Sequence, residues 1–207
     1  MPRKNLIRTN KYYYHITTRS NHKHWFQLPL SEVWNISMQA FSIATNARTV
    51  EIVQFVLMSN HYHLLIKTPN CDIDKFMFWF NKTFSDNLRK KTGQINRMFS
   101  SNYKWSLITN EVYLTNVIRY IFQNPVRAGI VNKCEEYPYS TIFLNKSDLN
   151  LTFKIRFPLE INQCFYFYIN ETVKFKKNVS IKKGLRKTTY KEVYIRKNKV
   201  LSGASQK

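Results

Sequence analysis

Val56-Leu57-Met58-Ser59-Asn60-His61-Tyr62-His63-Leu64-Leu65-Ile66 reads as buried strand text interrupted by two histidines one residue apart. Side chains on a strand alternate between faces, so His61 and His63 share one face while Tyr62 and Leu64 share the other. Two imidazoles held a few ångströms apart on a rigid support form two corners of a divalent-metal site. They read equally as strand histidines that hydrogen-bond to their neighbours, and the stretch alone leaves both readings open.

Working outward, Ser59-Asn60 makes a tight turn between this strand and a preceding one over residues 49–58. Residues 11–18, Lys11-Tyr12-Tyr13-Tyr14-His15-Ile16-Thr17-Thr18, are rich in aromatic and β-branched side chains and predict another strand. Ser31 is placed to cap a helix running to about Asn46, with Val33, Trp34, Ile36, Ala40, Phe41 and Ile43 on its apolar side. Asp72 or Asp74 starts a second helix to about Lys91, carrying Phe76, Phe80, Phe84 and Leu88 at four-residue spacing, and Gly93 stops it. A third starts near Asn110 or Glu111 and runs to Gln123, where Asn124-Pro125 ends it. This order predicts an α+β fold, a ferredoxin-like antiparallel sheet with helices packed on one face.

The chain has 207 residues, 43% of them apolar, with 15 Phe and 13 Tyr, enough for a sizeable core. Its formal charge of +21 points to a polyanionic partner, nucleic acid ahead of membrane. No apolar run reaches the roughly 18 residues of a membrane span, and no apolar signal core follows Met1-Pro2-Arg3-Lys4-Asn5. Cys71, Cys134 and Cys164 are odd in number and widely spaced, which fits reduced thiols in a cytoplasmic protein. Residues 1–150 carry 19 Lys and Arg against 9 Asp and Glu, whereas residues 151–207 carry 14 against 3. The shift places a boundary at the polar stretch 145–150. It separates a domain over residues 1–148 from a basic C-terminal extension over 149–207. Within that extension, Cys164 to Ile169 reads as strand-like, and the segment beyond Lys174 as a phosphate-binding arm.

Tyr120 and Asn124 lie four residues apart on the third helix and so share a face about one turn apart. A phenol is a poor nucleophile near neutral pH. A divalent cation and a nearby Arg or Lys favour its anion, which can attack a phosphodiester. Asn124 offers a carbonyl oxygen to the metal or the phosphate. Pattern alone does not single out Tyr120 among 13 tyrosines.

Four blocks carry a resemblance. They are Tyr14-His15-Ile16-Thr17-Thr18-Arg19-Ser20-Asn21, Met58 to Leu65, Phe99-Ser100-Ser101-Asn102-Tyr103-Lys104, and Arg119-Tyr120-Ile121-Phe122-Gln123-Asn124-Pro125-Val126-Arg127-Ala128-Gly129-Ile130-Val131. The chain resembles the REP-associated tyrosine transposases, relatives of the HUH single-strand endonucleases, over about residues 12–140. It departs from the family pattern at Ser20, where Gly is usual, and at Tyr62, which fills the hydrophobe slot between the histidines. The resemblance implies that His61, His63 and Asn124 hold Mg2+ or Mn2+ and that Tyr120 is the nucleophile. It further implies that one DNA strand is cut beside a hairpin, with the 5′ end kept as a phosphotyrosine until a 3′ hydroxyl rejoins it. Water must then be kept from the adduct.

Arg19, Asn21, Lys104, Arg119 and Arg127 belong to these blocks and are candidate DNA contacts. Trp25 and Trp105, each beside a cation or histidine, suit either base stacking or core packing. His15, His22 and His24 read as structural or DNA-facing. The expected partner is single-stranded DNA with hairpin structure, bound by a monomer or homodimer, with no membrane. The alternative is a catalytically silent hairpin-binding protein descended from such a transposase. A three-carboxylate transposase would need clustered acids around two metals, and the first 150 residues hold only nine. A basic RNA-binding protein would explain the charge but none of the four blocks.

Overall fold

The computed structural model describes residues 5–100, 102–144, 153, 155–156, 160–173 and 175–191. Strand β1 (Tyr13–Arg19) leads through a short turn to helix α1 (Leu30–Ala47), then to the hairpin of β2 (Glu51–Leu57) and β3 (His61–Lys67). Helix α2 (Ile73–Thr92) and strand β4 (Lys104–Ile108) complete the unit. The four strands pair antiparallel in the order β2-β3-β1-β4, the ferredoxin-like arrangement expected. The sequence predicted no strand over β4, which the block Phe99 to Lys104 meets only at Lys104.

Alternation along the strands sorts the side chains into two cores. Tyr14, Ile16, Phe55, Leu57, Tyr62, Leu64, Ile66, Trp105 and Leu107 face α1 and α2. Phe41, Phe76, Phe80 and Phe84 from those helices fill the layer, and Phe80 sits 4.3 Å from Phe41 between ring centroids. Tyr62 is fully buried here, and its hydroxyl is satisfied. It accepts from Thr18 Oγ1 at 2.8 Å and donates to Asn81 Oδ1 at 2.6 Å. A tyrosine between the two histidines therefore costs no orphaned polar group. Gly93 ends α2 in the left-handed conformation (φ 69°), which glycine adopts without strain.

The opposite face is also covered, beyond the one-sided layer that the pattern suggested. Helix α3 (Glu111–Phe122) lays Val117, Ile118 and Ile121 against Val53, Val56, Leu65 and Ile108. Asn110 caps it, its Oδ1 accepting from the Val112 and Tyr113 amides. Asn124-Pro125 does not end the helical path. Gln123 stays in the right-handed region and α4 (Asn124–Arg127) adds another turn, with Pro125 where its missing N–H is harmless.

Beyond α4 the chain runs through α5 (Thr141–Leu144), α6 (Gln163–Asn170) and α7 (Phe175–Gly184). The strand-like text at 164–169 is thus helical. Phe165 and Ile169 point inward, while Phe167 faces solvent. The segment beyond Lys174 begins as helix α7, packed on α3. The Leu107 amide then donates to Thr188 O, and the Tyr190 amide to Leu107 O, along β4. On the other edge, the Leu57 amide donates to Tyr139 O and the Arg156 amide to Ile52 O. The boundary stretch 145–150, and the arm beyond residue 191, lie outside the described residues. Among the described residues no helix is long and apolar enough to cross a membrane.

Phe80 is fully buried and in ring contact with Phe41, Phe55, Tyr62, Phe76 and Phe84. Phe80→Ala should cost about 3–5 kcal/mol of unfolding free energy, as cavity-forming aromatic truncations do. Urea denaturation measures it, and a loss below about 1 kcal/mol would contradict this core assignment.

Candidate active site

The β3 histidines face α3, in one row with residues of β1 and β4. His61 is opposite Arg19, and His63 is opposite Thr17, which in turn is opposite Lys104. The two imidazole centroids are 5.2 Å apart. Each ring has its Nδ1 engaged, His61 with Asn60 Oδ1 at 2.8 Å and His63 with His15 Nε2 at 2.9 Å. That leaves Nε2 of both rings as the nitrogen available to a ligand.

Tyr120 projects from α3 toward this pair, its ring centroid 6.2 Å from that of His63 and nearly perpendicular to it. The packing of Val117, Ile118 and Ile121 on the sheet fixes the helix, and Gln54 Nε2 adds a bond to Ile118 O. Tyr120 is only 8% exposed. Arg127 lies over its ring at 4.3 Å and donates through Nη2 to the Tyr120 carbonyl. Asn124 uses Nδ2 to bond the Tyr120 and Ile121 carbonyls, so its Oδ1 carries neither bond.

The cations proposed from sequence divide into groups. Arg19 and Lys104 flank the histidines on the same sheet face, and Arg127 belongs to the Tyr120 contact. Arg119 is engaged internally: its Nη1 bonds Glu171 Oε2 at 2.7 Å, and its guanidinium stacks on Tyr168. Asn21 sits in the turn after β1, where its amide donates to Met98 O. There it helps line a cavity of about 200 Å³ with His22, His24, Trp25, Gln94 and Asn96. The structure separates the two tryptophans that sequence left alike, since Trp25 is 74% exposed and Trp105 is 8% exposed. Ser20 takes an ordinary extended conformation, and its hydroxyl bonds His24 O; the left-handed residues follow at His22 and Lys23.

Burial and surrounding cations dominate the electrostatics. Burial pushes His61 down to about 4, and Arg19 and Lys182 add to it. Burial brings His15 to about 3. His63 is held well below its ordinary value by burial first, then by His15, His61, Arg127 and Arg19. All three rings are neutral near pH 7, the form that ligates metals. Burial raises the Tyr120 phenol, opposed by Arg127, Arg186 and Arg19. Lys182 and Arg186 thus extend their field to the site from the C-terminal segment, where sequence offered only a generic basic tail. His15 was equally unmarked, because its approach to His63 depends on strand register. Among the described residues no group of three or more His, Cys, Asp and Glu could hold an ion.

These depressed histidines fix the sign of a pH effect. Above about pH 6.5, folded and unfolded chains both hold them neutral. Below it the unfolded chain takes up protons first, and stability falls toward the folded values near 4 and 3. The melting temperature should therefore drop on acidification from about pH 6.5 to about pH 4.5, and less steeply for His15→Gln. Equal slopes for the two proteins would rule out a buried neutral His15.

Comparison with known proteins gives the family and the fold. The family model for IS200-like transposases matches residues 8–124, from the approach to β1 through Tyr120 to Asn124. A Haemophilus influenzae protein described as a REP-associated tyrosine transposase is 23% identical over 151 residues, covering 67% of this chain and 83% of that one. The solved structure of a REP-associated tyrosine transposase bound to a REP hairpin superposes with a TM-score of 0.60 at 17% identity, covering 75% of this chain and 93% of the other. At that identity the likeness establishes the α+β fold. With more than half its length matched by the family model, and its paired histidines and helix-borne tyrosine within that match, the chain belongs to the IS200-like transposase family.

Proposed function

We propose that this protein is a metal-dependent single-strand DNA endonuclease and strand transferase that cuts beside hairpins through a 5′-phosphotyrosine intermediate. The observation that carries this reading is the approach of the buried Tyr120 ring to His63, beside His61 and under Arg127. The superposed relative was solved bound to a REP hairpin, which suggests the kind of DNA. The charge of +21 suits such a polyanion.

The donor set fits Mg2+ or Mn2+ bound with phosphate oxygens and water. His61 and His63 would contribute Nε2, and Asn124 Oδ1 is the further candidate. Such an ion supplies polarisation of the scissile phosphate and helps orient it. The protein's own groups supply the rest. Arg127, Arg186 and Arg19 favour the phenolate that burial opposes. Tyr120 Oη forms a bond to phosphorus while the bond from phosphorus to the 3′ oxygen breaks, and that oxygen leaves as a hydroxyl after gaining a proton. One phosphodiester becomes one phosphotyrosyl ester, so a later 3′ hydroxyl can reverse the exchange without ATP. Burial of Tyr120 keeps water from competing.

Tyr120→Phe should abolish a denaturation-resistant adduct on end-labelled hairpin strands with Mn2+, while hairpin affinity stays nearly unchanged. An adduct formed by this variant would remove Tyr120 from the role. Tight binding by the native chain with no adduct in any metal would instead establish a silent hairpin binder. Hairpin affinity should also fall steeply with salt, by about 0.7–0.9 in log–log slope for each neutralised phosphate. A flat response would reject the electrostatic part of the reading.

A further inference from the structure

We propose that His15 is a positioning residue for the candidate metal site: it fixes the tautomer and ring orientation of His63, backed by the buried hydroxyl of Ser106. The inference rests on the metal-site reading above and concerns a residue outside the histidine pair. His15 sits on β1 with 3% exposure, and its Nε2 lies 2.9 Å from His63 Nδ1. The two rings are nearly parallel, with centroids 5.2 Å apart.

A neutral imidazole carries one proton, so only one of these two nitrogens can donate. If His15 donated from Nε2, His63 Nδ1 would accept and the His63 proton would sit on Nε2, blocking that nitrogen as a ligand. If His15 accepts, His63 keeps its proton on Nδ1 and its Nε2 lone pair is left for a ligand. His15 must then carry its own proton on Nδ1. Ser106 stands directly opposite His15 on β4, on the same sheet face, and its Oγ is fully buried with no hydrogen-bond partner. An orphaned buried hydroxyl is costly; Ser106 Oγ makes no bond to His15 as it stands, and a side-chain rotation that let it accept from His15 Nδ1 would remove that cost and favour the required tautomer. The row Ser106, His15, His63 thus runs across three strands and ends at the ligand nitrogen.

The two candidate ligands are held by different means. Asn60 Oδ1 can only accept, so it alone settles the His61 tautomer. His15 can do either, and an acceptor for its Nδ1, the role proposed for Ser106, would decide. An apolar residue would fill the same place without the cost of burying an imidazole, which argues for a polar task rather than packing. Partners of this kind typically change metal affinity by about 10–100-fold when removed.

The test uses the full chain with its hairpin strand, and Mn2+ affinity is read from the free-ion electron paramagnetic resonance signal. Ring-nitrogen NMR of the metal-free protein reports the His63 tautomer. His15→Phe should weaken Mn2+ by about 10–100-fold and mix the His63 tautomers. His15→Gln, whose amide oxygen can accept from Nδ1, should recover most of the affinity. Ser106→Ala should shift the tautomer ratio in a chain that keeps both imidazoles, which serves if His15→Phe does not fold. If His61→Ala loses Mn2+ while His15→Phe and Ser106→Ala match the native chain in affinity and tautomer, His15 has no positioning role. If the native chain binds no Mn2+, the metal reading fails separately. The tautomer spectra then decide for His15, a pure Nδ1–H state lost in His15→Phe supporting it and an unchanged spectrum overturning it.

Discussion

Alternation along β3 is the constraint on which the remaining structure depends. A one-residue slip would exchange its faces, moving Tyr62 out of the aromatic layer and turning both histidines into it. The register is fixed on the α1/α2 side by Leu64, Ile66 and Tyr62, whose hydroxyl is tied to Thr18 and Asn81. Core and candidate site are therefore specified together. The packing that buries the Tyr62 face is what aims His61 and His63 at α3.

The C-terminal segment contributes to the same geometry from the far side of α3. Gln123 Nε2 bonds the carbonyls of Ile169 and Glu171, and Arg119 pairs with Glu171. A bond made by a largely buried guanidinium is worth more than an exposed ion pair. These contacts brace the turn of helix that follows Tyr120, while Lys182 and Arg186 set charge around the site. The cost is a phenol that burial holds in its neutral form.

Much of the fold was legible because periodicity records burial. The four-residue spacing of Phe76, Phe80, Phe84 and Leu88 marked α2, and Asn110 and Gly93 marked helix ends by their chemistry. The stretch 164–169 misled because Cys164 and the five large aromatic and aliphatic residues after it carry no period, and a short helix packed on another looks like strand text. β4 is five residues long and gave too little pattern. At the site, the pairing of His61 with His63 followed from strand geometry alone. The choice of Tyr120 needed resemblance, and the placement of His15, Ser106 and Arg119 needed three-dimensional register that no local spacing encodes.

The bridges along the outer strands carry a consequence for how copies of this chain meet. An open sheet edge is a template on which a second chain can add a strand. Here Leu107 near the end of β4 is taken by Thr188 and Tyr190, and β2 is taken at one end by Tyr139 and at the other by Arg156. Leu107 on β4, and Ile52 and Leu57 on β2, are thereby engaged from within the chain. Among the described residues these internal pairings leave less of each outer strand free to take up a strand from a second chain.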